Sequence, residues 1–136
     1  KHFYAYSLED SDGFTRHTFD ANVSERDLAE TYLPAFKACA AAGVEQVMCS
    51  YNAVNGVPTC LDKHAQMDVL RGDFGFDGMI VSDCDSIADA WEPYDHGYAA
   101  NASDATAKGI VAGCDMDCGT TYSTGAVDAV GSGALD

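Results

Sequence analysis

Short apolar runs alternate along this chain with longer segments whose apolar positions recur at helical spacing. Residues 2–6 are short and aromatic-rich, which predicts a strand. A polar loop over 7–23 follows. Ser24 then suits a helix N-cap, and Asp27 three residues on completes an acidic variant of the capping box. Leu28, Tyr32, Ala35, Phe36 and Cys39 fall on one helical face, and Gly43 suits the C-cap. Pro34 lies inside this pattern, where it must remove one helical hydrogen bond and kink or locally break the helix. The pattern itself supplies no reason for it. A second strand is predicted over 46–50, a turn-rich loop over 51–59 and a helix over 63–71 ended by Gly72. Met79-Ile80-Val81-Ser82 predicts a third strand, apolar enough to be buried on both faces. A polar loop with Pro93 and Gly97 leads to a helix over 103–112, which Gly113 can end. A short fourth strand over 114–117 and a weak helix over 124–130 complete the reading.

Four strands alternating with four helices imply right-handed crossovers and a parallel sheet, hence an α/β fold. Eight such units close a (β/α)8 TIM barrel of roughly 250 residues, so four make half of one. An open flavodoxin-like sheet competes, and periodicity does not separate the two. The chain begins at Lys1 without Met or a signal-peptide pattern and stops in a polar, small-residue stretch. It reads as an internal fragment whose neighbours lie outside it.

Composition narrows the function. Hydrophobic residues make up 47% and charged residues 21%, as in globular proteins. A formal charge of −15 argues against nucleic acid and anionic membrane as partners, because both require a basic footprint. The surplus reads as a solvated acidic surface. No apolar stretch approaches the roughly 20 residues that cross a bilayer. Six cysteines leave disulfide connectivity open, and without a C-x-x-C a structural zinc site is not expected. The N-x-S sequons at Asn22 and Asn101, together with those cysteines, point to a secreted, extracellular setting.

In parallel α/β folds the chemistry gathers where strands end. Those positions are Tyr51 and Asn52, then Asp83 and Asp85, then Asp117. Asp83 is the sharpest, because it follows the apolar run without a spacer. A carboxylate there is costly unless paired, which suits a functional group; a helix N-cap or loop-ordering aspartate is the plain alternative. Lys1 and His2 offer donors to a polyhydroxylated ligand, yet by themselves read as an exposed terminus. Tyr51-Asn52 alone reads as turn residues, and Arg16 and His17 as solvated surface. Asp10-Ser11-Asp12-Gly13 hints at calcium but fails the EF-hand pattern, with Thr15 and Ala21 where Gly and Glu belong. No metal or other cofactor is implied.

KHF (1–3), VSERDLAETYLPAFKAC (23–39), VMCSYNAVNGVPTC (47–60), DVLRGDFGFDGMIVSDCDSI (68–87) and AGCDMDCG (112–119) together resemble glycoside hydrolase family 3. The resemblance covers nearly the whole chain in the right order. It implies that residues 1–136 are the later part of that family's N-terminal (β/α)8 barrel. It also implies an exo-acting, retaining hydrolase of β-linked glycosides. Asp83 matches the family nucleophile in V-S-D. Lys1 and His2 match the pair that hydrogen-bonds the glycone, and Tyr51 matches the tyrosine of C-S-Y-N. Arg16, within Thr15-Arg16-His17-Thr18-Phe19-Asp20-Ala21, matches a sugar contact of the xylosidase-like branch. Cys84 after the nucleophile, where many family glucosidases have Trp, resembles the β-xylosidase/α-arabinofuranosidase group. A β-glucosidase and a non-catalytic sugar-binding relative are the alternatives. The resemblance implies pairing of Cys49 with Cys60 and of Cys84 with Cys118, and leaves Cys39 and Cys114 without clear partners. The partners it implies are an oligosaccharide or glycoside substrate, the remainder of the barrel, and a C-terminal domain carrying the acid/base carboxyl.

Overall fold

The computed structural model describes all 136 residues. Its core is a pair of parallel strands, β4 (Gln46–Cys49) and β7 (Met79–Ser82), in register from Gln46↔Met79 to Cys49↔Ser82. Phe3 joins the free edge of β4 through a parallel bridge to Cys49, and Met116 joins that of β7 through a parallel bridge to Val81. Spatial order therefore follows chain order: Phe3, β4, β7, Met116. The order never reverses, unlike the open doubly wound sheet with its switch point.

The two outer strands are shorter than the apolar pattern predicts. Each pairs on one side only, so little backbone bonding extends them. After Phe3 the chain turns at Ala5, which adopts φ 54°, and Tyr4 swings away to donate its hydroxyl to Asp62 Oδ2 at 2.9 Å. On the far side, Asp115 turns its carboxylate back to the amide of Ile80 at 2.7 Å and to Arg71 at 2.7 Å.

The polar loops also carry structure that the pattern did not predict. A hairpin of β1 (Asp10–Ser11) and β2 (Phe14–Thr15) precedes β3 (Asp20–Ala21). β3 lies parallel to β5 (Ala53–Val54), which turns back into β6 (Val57–Pro58). Asn55 and Gly56 make that turn with φ 50° and 85°, the conformation a two-residue Asn-Gly hairpin demands. Asn55 also exchanges hydrogen bonds with both backbone groups of Val23.

The first helix, α1 (25–41), explains its internal proline. It opens as an α-turn over Glu25–Asp27, widens to a π-turn over Leu28–Tyr32, and resumes as α-helix over Pro34–Ala41. The Leu33 amide bonds back to Leu28 at 2.9 Å, and Pro34 then opens the new segment at a position needing no amide hydrogen. Ser24 caps the helix, accepting from the Asp27 amide at 3.1 Å. The Asp27 carboxylate takes the Ser24 hydroxyl rather than its amide, so the capping box is only half made. Gly43, at φ 81°, turns the chain away.

Helix α2 (His64–Asp73) is wound as a π-helix and runs through Gly72. A short helix, α3 (Ser86–Asp89), follows β7 and was not predicted. Helices α4 (Ala102–Ala112) and α5 (Thr121–Gly131) agree with the apolar pattern within a turn. Gly125 brings them together: a Cβ there would lie 2.6 Å from the Ala102 carbonyl oxygen. Thr106 reinforces the contact by donating to the Thr121 carbonyl at 3.0 Å.

Phe3, Leu70, Ile80 and Ile87 are fully buried in one core. Each contributes about 1.5–3 kcal/mol by leaving water. Phe36 of α1 meets the Phe3 ring edge-on with centroids 5.0 Å apart, which ties helix to sheet. Disulfides join Cys49 to Cys60 and Cys84 to Cys118. Cys39 is an exposed thiol; Cys114 is a buried one, and burial pushes its pKa up to about 12. No helix is long and apolar enough to cross a membrane, and no three His, Cys, Asp or Glu side chains gather as a metal cage.

Candidate active site

Asp83 leaves β7 at its carboxyl end. Its amide bonds to the Cys49 carbonyl at 3.1 Å, so the ladder with β4 fixes where the side chain starts. Oδ1 accepts from the Cys84 amide at 2.9 Å. Oδ2 lies 3.2 Å from His2 Nε2, and the Asp83 side chain is only 14% exposed. The Cys84 amide and the adjacent imidazole thus offset the desolvation of this carboxylate. Asp83 does not cap a helix: the residue before α3 is Asp85, in the left-handed region at φ 67°. Asp83 thus orders the start of the loop after β7 through the Cys84 amide, and its other oxygen faces His2.

His2 arrives from the far side of β4, beside the Phe3 bridge, and stacks on Tyr6, ring centroids 4.8 Å apart. Tyr51, at the carboxyl end of β4, is buried, and His96 Nε2 donates to its carbonyl at 2.8 Å. Burial first, and the nearby Asp83 carboxylate second, push the Tyr51 phenol up to about 12, so it remains a donor at neutral pH. Arg16 comes from the loop after β2 and lies over the Tyr51 ring, 4.8 Å from its centroid. Asp83, His2, Tyr51 and Arg16 therefore share one face at the strands' carboxyl ends. Lys1 stands exposed beside them and makes no hydrogen bond or ion pair.

The other strand-end candidates have structural work. Asn52 is fully buried and donates to the carbonyls of Tyr4 and Ala53. Asp117 takes the Ser82 hydroxyl at 3.3 Å and the Tyr122 amide at 3.0 Å, which anchors the start of α5. The Asp10–Gly13 segment forms the hairpin turn rather than an ion cage.

Three further side chains border the site. Tyr6 stacks on His2, and the His17 ring meets that of Tyr51 at 4.6 Å. Asp89 of α3, 6% exposed, lies 2.8 Å from His17 Nδ1. Burial raises the Asp89 pKa, with His17 opposing that rise. His17 and Asp89 are 72 positions apart, so no local spacing announces them. The chain's concavities lie elsewhere; one, lined by Met67, Arg71, Met79 and Asp115, sits at the amino end of β7. The Asp83 face is open.

The profile of the glycosyl hydrolase family 3 N terminal domain matches residues 1–136. The chain belongs to glycosyl hydrolase family 3. This family 3 chain is 48% identical over 126 residues to a probable exo-1,4-beta-xylosidase, bxlB, of Aspergillus clavatus, covering 90% of the chain and 16% of that protein. It is 50% identical over 125 residues to a second, xlnD, of the same organism, with the same shares covered. Among solved structures it is similar to a family 3 exo-beta-xylosidase in complex with a xylobiose aziridine activity-based probe. There the TM-score is 0.96 at 39% identity, covering all of this chain and 18% of that one. A beta-glucosidase of Listeria innocua in complex with isofagomine gives a TM-score of 0.87 at 34% identity, with the same coverage. The family 3 chain thus spans about a sixth of the length of its curated relatives.

Proposed function

We propose that this chain is part of a (β/α)8 barrel, residues 1–136 being one piece of its domain. It carries the nucleophile of a secreted, exo-acting, retaining glycoside hydrolase that releases terminal β-xylose or α-arabinose. One observation carries the reading: Asp83 lies at the carboxyl end of β7 within 3.2 Å of His2, among Tyr51 and Arg16. The unreversed order of Phe3, β4, β7 and Met116 supports the barrel, since that is how successive βα units close. The closer likeness to the xylosidase structure than to the glucosidase favours the pentose. Both sequon asparagines, Asn22 and Asn101, are exposed, in keeping with secretion.

Retention requires two carboxyl groups about 5–5.5 Å apart. A carboxylate oxygen of Asp83 bonds to the sugar C1 while the bond from C1 to the leaving oxygen breaks. The second carboxyl group, supplied by a C-terminal domain of the parent protein, gives its proton to that oxygen. Water then attacks C1, loses its proton to the same group, and frees Asp83. His2 and the Cys84 amide hold the Asp83 carboxylate in place before attack. Lys1, Arg16 and the Tyr51 hydroxyl contact the glycone oxygens as donors.

The substrate assignment is tested on the parent enzyme with aryl β-xyloside and aryl β-glucoside. The expected result is a kcat/KM at least about tenfold higher for the xyloside, the range a single added group can discriminate. A preference for the glucoside overturns the pentose assignment.

A further inference from the structure

Arg16 is held over the Tyr51 ring by a relay that the reaction itself does not require. Its Nε donates to His17 Nε2 at 3.2 Å, and His17 Nδ1 faces Asp89 Oδ2 at 2.8 Å. The donor count fixes the roles. Arginine Nε carries only a proton, so His17 Nε2 must present a lone pair. The ring proton then sits on Nδ1 and donates to the Asp89 carboxylate. Asp89 is buried at the end of α3, so its position is set by the core rather than by solvent. The Arg16 Nη1 lies 3.6 Å from the exposed Glu9 Oε2, so His17 and Glu9 hold different nitrogens of the guanidinium.

We propose that His17 and Asp89 are positioning residues that aim the Arg16 guanidinium at the sugar. The inference rests on reading Arg16 as a sugar contact. His17 touches Tyr51 with its ring edge and Arg16 with its nitrogen, so it orders both walls of the site at once. Asp89 acts one step further back, by selecting the tautomer that can accept from Arg16.

The test is a double-mutant cycle in the full-length parent enzyme on aryl β-xyloside. Arg16→Ala and His17→Phe are each expected to lower kcat/KM about tenfold, the worth of one charge-assisted hydrogen bond, mainly through KM. His17→Gln, whose amide oxygen can replace the ring lone pair, should recover most of that loss. In the Arg16→Ala background His17→Phe should have no further effect, because nothing remains to be aimed. Asp89→Asn leaves the ring and Arg16 intact and serves as the second route if His17→Phe does not fold; its loss should also vanish in that background. Additive losses, or wild-type kinetics in both His17→Phe and Asp89→Asn, overturn the relay. Wild-type kinetics in Arg16→Ala instead overturn the sugar contact on which it rests.

Discussion

Replacing Asp83 by Ala in the full-length parent enzyme is expected to lower kcat on aryl β-xyloside by at least about 10⁴-fold, as removal of a covalent nucleophile does. Binding of a xylose-like inhibitor should persist, because the donors around the glycone are untouched. The fold should persist too. Asp83 contacts His2 and the amide of its own neighbour, and it caps no helix and closes no core. A thermal shift corresponding to less than about 1 kcal/mol is the expected companion result. Loss of activity accompanied by a large fall in melting temperature would assign Asp83 to structure instead.

The second large effect concerns the bond beside that residue. Cys84–Cys118 closes a loop with a sequence separation of 34 and ties the segment after β7 to the segment before α5. Chain-entropy arithmetic gives about 4 kcal/mol for a loop of that length. Cys84 also supplies the amide that Asp83 Oδ1 accepts, so the same bond steadies the carboxylate. Cys84→Ser should therefore melt well below the oxidised wild type, with the gap closing when the wild type is reduced, and should lower kcat as well. Unchanged melting of that variant would show that packing around Ser82, whose hydroxyl accepts from the Cys118 amide at 2.8 Å, suffices without the bond.

The parts of this molecule that sequence makes plain are those with a strong local signature. Met79–Ser82 is an uninterrupted apolar run with an acid at its end, and the structure buries the run and pairs the acid. Gly43 and Gly113 stop their helices with φ 81° and 100°, as their positions suggest. The Asn55-Gly56 hairpin lies inside a segment that reads only as a turn-rich loop, because its two strands are too short to show an alternating pattern. The outer strands are shorter than their local patterns predict because strand length depends on having neighbours on both sides, which neither residues 2–6 nor 114–117 have. Pro34 made sense only once the π-turn before it was visible. At the site, Asp83 and Tyr51 are marked by position at strand ends, whereas the sugar-contact reading of Tyr51, Lys1, His2 and Arg16 comes from resemblance. His17 and Asp89 could not be joined at all, since their contact depends on the loop folding back against α3.

The account stands on Asp83 forming the glycosyl-enzyme bond. The most direct measurement is to trap that species in the full-length parent enzyme with a 2-fluoro-xyloside carrying a good leaving group, then digest it and locate the added mass by tandem mass spectrometry. The account predicts the label on the peptide containing Ser82-Asp83-Cys84, attached to Asp83. A label on any other side chain would contradict it.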